Sequence, residues 1–266
     1  MFKLPLALVG IFFIASCASK TLISAGTLSE MAPTGKLRVG IYYGNPVLVQ
    51  KDITTGSPRG VASDLSLELG RRIGIPVEFI VYDGAAKLAT GVKNEEWDIA
   101  FLASDPARAN EIRFAPPILE IEGVYLVPAG SPVREITDVD RKGVRIAVAA
   151  KNIYDVFLSR EIRRAQLVRA PTVSAATDMF VAGKLNILAG GRPQLIEAAN
   201  KIPGARILDG RFMVVHLTAG VPKGRDSAAR YLSDFIQEAK ASGIVARSLG
   251  SSGVGGVSVA PSVLNK

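Results

Sequence analysis

Hydrophobic positions along this chain switch repeatedly between a period of two and a helical period. Leu37, Val39 and Ile41 alternate as a strand, and Tyr43-Gly44-Asn45-Pro46 follows as a turn. Ser63 and Asp64 can cap a helix with the apolar face Leu65, Leu67, Leu69 and Ile73, which Gly74 ends. Val77 to Val81 predicts a strand, Lys87 to Lys93 a helix, and Ile99 to Ala103 a third strand. Alternating strands and helices argue for a parallel sheet covered on both faces. Gly123 to Pro128 is another apolar strand, and Ala129-Gly130-Ser131-Pro132 breaks the chain.

The pattern then restarts. Strands are expected at Val144 to Ala149, Leu167-Val168 and Ile187 to Ala189. Helices are expected at Ile153 to Arg163, Val173 to Ala182 and Gln194 to Asn200. This repetition predicts two α/β lobes of similar plan, the second beginning near residue 129. Phe212 to Val221 adds a strand, and Asp226 to Ala241 an amphipathic helix with Ala229, Leu232, Ile236 and Ala239 on one side.

The two ends read differently. Lys3 precedes an apolar run from Leu4 to Ala15 that is too short to span a bilayer and suits an export signal. It closes on Ile14-Ala15-Ser16-Cys17, which resembles a bacterial lipobox, so residues 1–17 read as a lipoprotein-type signal with Cys17 acylated. The alternative is cleavage near Ala18 and a soluble periplasmic product. Residues 18–35, polar and small, read as a tether, and residues 250–266, rich in Gly, Ser and Val, as a disordered tail.

Composition narrows the function. Cys17 is the one cysteine, leaving none for a structural disulfide, and a lone His216 cannot build a histidine metal site, so no metal or cofactor is expected. The net charge of +8 falls to +7 once Lys3 leaves with the signal. Basic residues are scattered and aromatics, at 6%, do not interleave with them, which argues against nucleic acid. A basic surface suits an anionic membrane or an anionic ligand.

The segment from Trp97 to Arg108 carries the sharpest chemical signal. After the apolar run Ile99 to Ala103, Ser104 and Asp105 offer cap oxygens and Pro106 suits a first helical turn. Free helix N–H groups beside Arg108 would hold a carboxylate; equally, Arg108 could pair with Glu111 or Asp105 on the surface.

Six segments in order carry a family resemblance. They are Lys36-Leu37-Arg38-Val39-Gly40, Gly60-Val61-Ala62-Ser63-Asp64-Leu65, Trp97-Asp98-Ile99-Ala100, Asp105-Pro106-Ala107-Arg108, Leu126 to Pro132, and Val144 to Val148. Over residues 36 to 249 the chain resembles solute-binding protein family 3, the amino-acid-binding receptors of bacterial ABC importers. The resemblance implies a two-lobed type II periplasmic-binding-protein fold, with lobe 1 at 36–126 plus 219–249 and lobe 2 at 127–218. It implies hinge crossings at Gly123 to Pro128 and Phe212 to Val221, and closure over a ligand.

By the same resemblance Arg108 grips the ligand carboxylate, with support from Ala103, Ser104 and Asp105. Tyr43 and Asn45 belong to the cleft loop of lobe 1, and Lys151 and Asn152 stand at the first helix of lobe 2. Such receptors usually place an aspartate for the ammonium where Gly191 stands here, before Arg192, and a stacking aromatic where Ala85-Ala86 stand. Those departures, with Lys151 and Arg192 adding positive charge, imply an anionic ligand, an organic acid or acidic amino acid. The alternative is that Asp83 or Asp105 supplies the anion.

The resulting expectation is a monomeric, non-enzymatic extracytoplasmic binding protein that delivers a small carboxylate-bearing solute to an ABC permease. Two alternatives stay open. One is a periplasmic dehydratase of the cyclohexadienyl or prephenate type, with Asp83, Glu120 or Glu122 as its acid. The other is a ligand-sensing accessory lipoprotein.

Overall fold

The architecture follows from how the hydrophobic runs pair. The computed structural model describes residues 23–183 and 185–262, so Cys17 and the signal reading lie outside the described residues. The first part of the chain forms α1 (Ala25–Met31), β1 (Leu37–Ile41), β2 (Gln50–Lys51), β3 (Pro58–Arg59), α2 (Val61–Ile73), β4 (Val77–Val81) and α3 (Ala85–Thr90). Then come β5 (Ile99–Ala103), β6 (Ile112–Phe114) and the long strand β7 (Leu119–Val127). The restart gives β8 (Arg145–Ala149), α4 (Ile153–Glu161), β9 (Gln166–Ala170), α5 (Val173–Val181), β10 (Ile187–Gly191), α6 (Arg192–Lys201) and β11 (Arg206–Ile207). The chain finishes with β12 (Met213–Pro222), α7 (Asp226–Ala241), α8 (Ile244–Ser252) and β13 (Val257–Val259).

One hydrogen-bonded path runs β4-β1-β5-β12-β7-β10-β8-β9. At either end the pairing is parallel, β4-β1-β5 on one side and β10-β8-β9 on the other. The middle is antiparallel: β12 pairs β5 through Leu217–Gly220 and β7 through Met213–Leu217, while β7 pairs β10 through Gly123–Leu126. Strand β7 therefore begins in one lobe and ends in the other, while the second crossing falls at Phe212, which packs in the second lobe just before β12 enters the first. Gly123 sits at this crossing, where a β-carbon would come within 2.7 Å of Met213 Cγ and 2.8 Å of the Phe212 ring.

Burial confirms two lobes. In the first, Val39, Ile99, Phe101 and Leu217 pack with the apolar faces of α2 and α7. In the second, alternate residues of β7 enter different clusters: Val124 and Leu126 pack with Phe180 and Leu188, and Tyr125 and Val127 with Ile146 and Ile187. Burial on both faces is why this strand reads as a continuous apolar run from Gly123 onward. Asp98, 0% exposed, ties the base of the first lobe. It accepts bonds from Arg38 N (3.0 Å), Arg38 Nε (3.0 Å), Arg38 Nη2 (2.8 Å) and Arg225 Nη1 (2.9 Å).

Both terminal readings need correction. The tether reading of 18–35 fails over its described part, because α1 is a docked helix: Ser24 caps it, Met31 is fully buried, and the Glu30 carboxylate accepts the Ala228 N–H at 2.9 Å. The cause lies far along the chain. Helix α7 has no side-chain cap of its own, and Glu30 serves one of its orphan donors. Nor is the tail disordered over its described residues: α8 continues to Ser252, and β13 pairs with Leu119–Ile121 of β7. Two smaller shifts are local. Helix α2 starts at Val61, since Ser63 bonds the Pro58 carbonyl instead of capping, and the expected Lys87–Lys93 helix is α3 followed by a 3-10 turn, Gly91–Asn94.

Lys240 pins the tail. It is buried, and its Nζ donates to the Pro117 carbonyl at 3.0 Å and the Pro261 carbonyl at 2.9 Å. Burial lowers its pKa, so losing the ammonium also relieves a desolvation cost that offsets the two bonds. Lys240→Met should therefore change global stability by only about 1 kcal/mol. Amide exchange at Ala260, whose N–H bonds the Ile118 carbonyl at 2.9 Å, should accelerate clearly; unchanged exchange would refute the pinning role.

Candidate ligand-binding cleft

The first-lobe wall is built where β5 ends. Ser104 N–H bonds the His216 carbonyl at 3.1 Å, anchoring the strand end to β12. Asp105 then turns the chain: its Oδ1 accepts the N–H groups of Ala107 (2.9 Å) and Arg108 (3.0 Å), and its Oδ2 meets Arg108 Nε at 2.9 Å. Arg108 Nη1 donates to the Ala103 carbonyl at 2.7 Å. The expected helix is a single 3-10 turn, Arg108–Asn110, because Ile112–Phe114 immediately resumes as β6. Its free N–H groups are taken by Asp105, so no helix dipole acts there. What remains is a guanidinium held in place, with its Nη2 end open to a further acceptor among the described residues.

The turn after β1 lies beside it. Burial raises the Tyr42 pKa, against the opposing effects of Asn45 and of the positive charge of Arg108. Asn45 also shapes the turn: its Oδ1 accepts Val47 N–H at 3.3 Å and its carbonyl accepts Leu48 N–H at 3.0 Å. Tyr43 instead packs against the first-lobe core.

The second-lobe wall holds a cavity of about 50 Å³, room for a few waters or one polar group of a larger ligand. Three helices start around it. Asn152 caps α4 by accepting Asp155 N–H at 2.8 Å, Val173 opens α5, and Gly191 precedes α6 with no side-chain cap. Tyr154 and Gln194 complete its polar lining, which contains no carboxylate. A β-carbon on Gly191 would come within 2.5 Å of Tyr154 Oη and 2.6 Å of Gln194 Oε1, so these two groups fill the space of a side chain there. Burial pushes the Tyr154 hydroxyl up to about 12, keeping it neutral at physiological pH. Its ring packs against both lobe cores, placing the cavity at their seam.

Of the residues singled out in the sequence, Ala103, Ser104, Asp105 and Arg108 form one cluster, and Asn152 and Gly191 another. Tyr154 and Gln194 were missed; their signal was a polar or aromatic residue in the first turn of a helix following a strand. Lys151 is exposed with φ 61°, and its N–H bonds Asp155 Oδ2 at 2.8 Å. Arg192 has other partners in this structure. Its Nε bonds Glu122 Oε2 at 2.7 Å and its Nη2 the Gly210 carbonyl at 3.2 Å, away from the cavity lining. Asp83 is 84% exposed and paired with Lys87.

Glu122 lies between the two lobes on β7. Arg211 and, more weakly, Arg192 hold its carboxyl below the usual carboxylate range. A depressed folded pKa stabilises above the unfolded value and is lost as pH falls through the folded one. Glu122→Gln should cost about 1 kcal/mol at neutral pH, discounted for the partly exposed pair, with the gap closing below about pH 4. A pH-independent gap in thermal unfolding would refute this.

Comparison with known proteins fits this geometry. The model of bacterial extracellular solute-binding proteins, family 3, matches residues 37–249. Among solved structures, an ancestral cationic amino acid solute-binding protein has a TM-score of 0.66 at 19% identity, covering 85% of this chain and 98% of its own. A binding component of an ABC transporter from Wolinella succinogenes, complexed with lysine, gives 0.66 at 20%, covering 80% and 94%. A histidine kinase sensor domain similar to periplasmic binding proteins gives 0.62 at 18%, covering 82% and 96%. A curated relative, membrane-bound lytic murein transglycosylase F of Shewanella sp. ANA-3, is 27% identical over 137 residues. That match spans 50% of this chain and only 27% of the relative.

Proposed function

The chain belongs to the bacterial extracellular solute-binding proteins of family 3, and from that premise we propose that it is the binding component of an ABC importer, taking a small carboxylate-bearing solute between its lobes. Arg108 receives the carboxylate through its open Nη2 end, and hinge motion about β7 and β12 brings the second-lobe cavity onto the rest of the ligand. The observation that carries the ligand class is the lining of that cavity. Three helix starts, a neutral tyrosine, a glutamine and an asparagine offer no counter-charge to an ammonium, and burying one unpaired is costly. A hydroxyl, a carbonyl or a second carboxylate fits. The solute in this reading is an organic acid, with a hydroxyl, a carbonyl or a second carboxylate where an amino acid carries its ammonium.

In the same reading the protein works as a monomer in the periplasm, held to a membrane by an acylated Cys17 and docking on a permease. Non-enzymatic action is favoured by the acids proposed for a dehydratase. Glu122 is held ionised by Arg211, Asp83 by Lys87, and Glu120 stands 3.3 Å from His216. A second reading, a ligand-sensing module, is favoured by the likeness of the fold to a histidine kinase sensor domain. It would use the same cleft.

A thermal-shift panel of matched pairs, lactate against alanine and malate against aspartate, tests the ligand class. The hydroxy acid of each pair should raise Tm more than the matched amino acid. The reverse order would refute it.

A further inference from the structure

We infer that residues 253–262 form a clasp that sets the resting angle between the lobes. The segment leaves α8 at Gly253, with the Ser252 carbonyl accepting Gln50 Nε2 at 3.1 Å. Val254, Val257 and Val259 pack on the first-lobe core, and β13 lies antiparallel to β7, with Ser258 opposite Glu120. Because β12 already holds one edge of β7 over residues 119–123, β13 must occupy the other. That edge is also where β10 of the second lobe pairs, beginning at Gly123. A first-lobe strand and a second-lobe strand thus lie end to end on one edge, with only Glu122 between them.

The contact across this gap is tight. Gly256, at φ 75°, turns the tail against the first turn of α6. A β-carbon there would come within 2.9 Å of Ile196 Cδ1, 3.1 Å of Arg192 Cγ and 3.1 Å of Pro193 N. The covalent crossings β7 and β12 allow rotation, but rotation that shifts α6 must either lose this contact or press into it. The tail is a third link between the lobes, noncovalent on the second-lobe side.

The test uses the full chain with Cys17→Ser and spin labels at exposed Lys87→Cys in α3 and Asp178→Cys in α5, measured without ligand. Gly256→Val wedges a branched side chain into a left-handed position against α6. Ser258→Pro removes a ladder donor, since the Ala260–Ile118 bond places Ser258 at the next hydrogen-bonded pair. Both should shift and broaden the interlobe distance distribution, and Ser258→Thr should leave it as in the parent. Parent-like distances in folded Gly256→Val and Ser258→Pro would overturn the clasp, even with a lowered Tm. Should either fail to fold, Gly256→Ala carries the same readout.

Discussion

Arg108→Ala should weaken carboxylate binding by about 2–5 kcal/mol, roughly thirty- to several thousand-fold in Kd, while the protein stays folded. The two effects separate because of how Arg108 is held. Its removal costs the turn one ion pair and one bond to the Ala103 carbonyl, but Asp105 still accepts the N–H groups at positions 107 and 108. That partly exposed pair is worth about 1 kcal/mol at most. Arg108→Lys should recover part of the affinity as a point charge without the planar fork. Calorimetric titration alongside thermal unfolding decides it: unchanged affinity would remove Arg108 from the site, and lost folding would make it structural.

Asp98→Ala should instead destabilise the fold strongly, by about 3–5 kcal/mol, because it strands the largely buried charges of Arg38 and Arg225. The carboxylate is 0% exposed and receives three bonds from Arg38 and one from Arg225. Arg225 also bonds the Glu30 carbonyl at 3.0 Å, so β1, β5, α1 and the start of α7 share one ionic centre. Tm should fall by roughly 6–20 °C. A drop within a degree or two would mean the centre is dispensable. Ligand affinity of the surviving folded protein should be unchanged, which distinguishes this centre from Arg108.

How much of this was legible in the sequence depended on whether the deciding interaction was local. Val77 to Val81 and Asp226 to Ala241 could be bounded to the residue, since each carries a sustained period and its own stop signal. The two lobes were legible from the restart after Pro132. Helix α1 was not, because it offers only Leu28 and Met31 as apolar positions, and its partner Arg225 lies almost two hundred residues away. Strand β13 was hidden for the same reason: two alternating valines among glycines mean little without the open edge of β7.

The site divides along the same line. Arg108 and its Asp105 partner lie within one turn and could be found together, although the helix expected there is cut short by β6. Arg192 pairs with Glu122, seventy residues earlier, a partner that no local pattern points to. Gly191 was noticed as a departure, but only the structure shows what fills its place. Tyr154 comes from a helix thirty-seven residues before it, and Gln194 from the turn after it.

The central claim is that the second-lobe cavity takes a polar group other than an ammonium while Arg108 takes the carboxylate. Calorimetric titration of one purified protein with malate and then with aspartate isolates that difference, since the two ligands share a skeleton and differ at one substituent. Malate should bind more tightly, with the preference reduced or reversed in Gly191→Asp once Tyr154 yields space to the new carboxylate. Tighter binding of aspartate by the unaltered protein would contradict it.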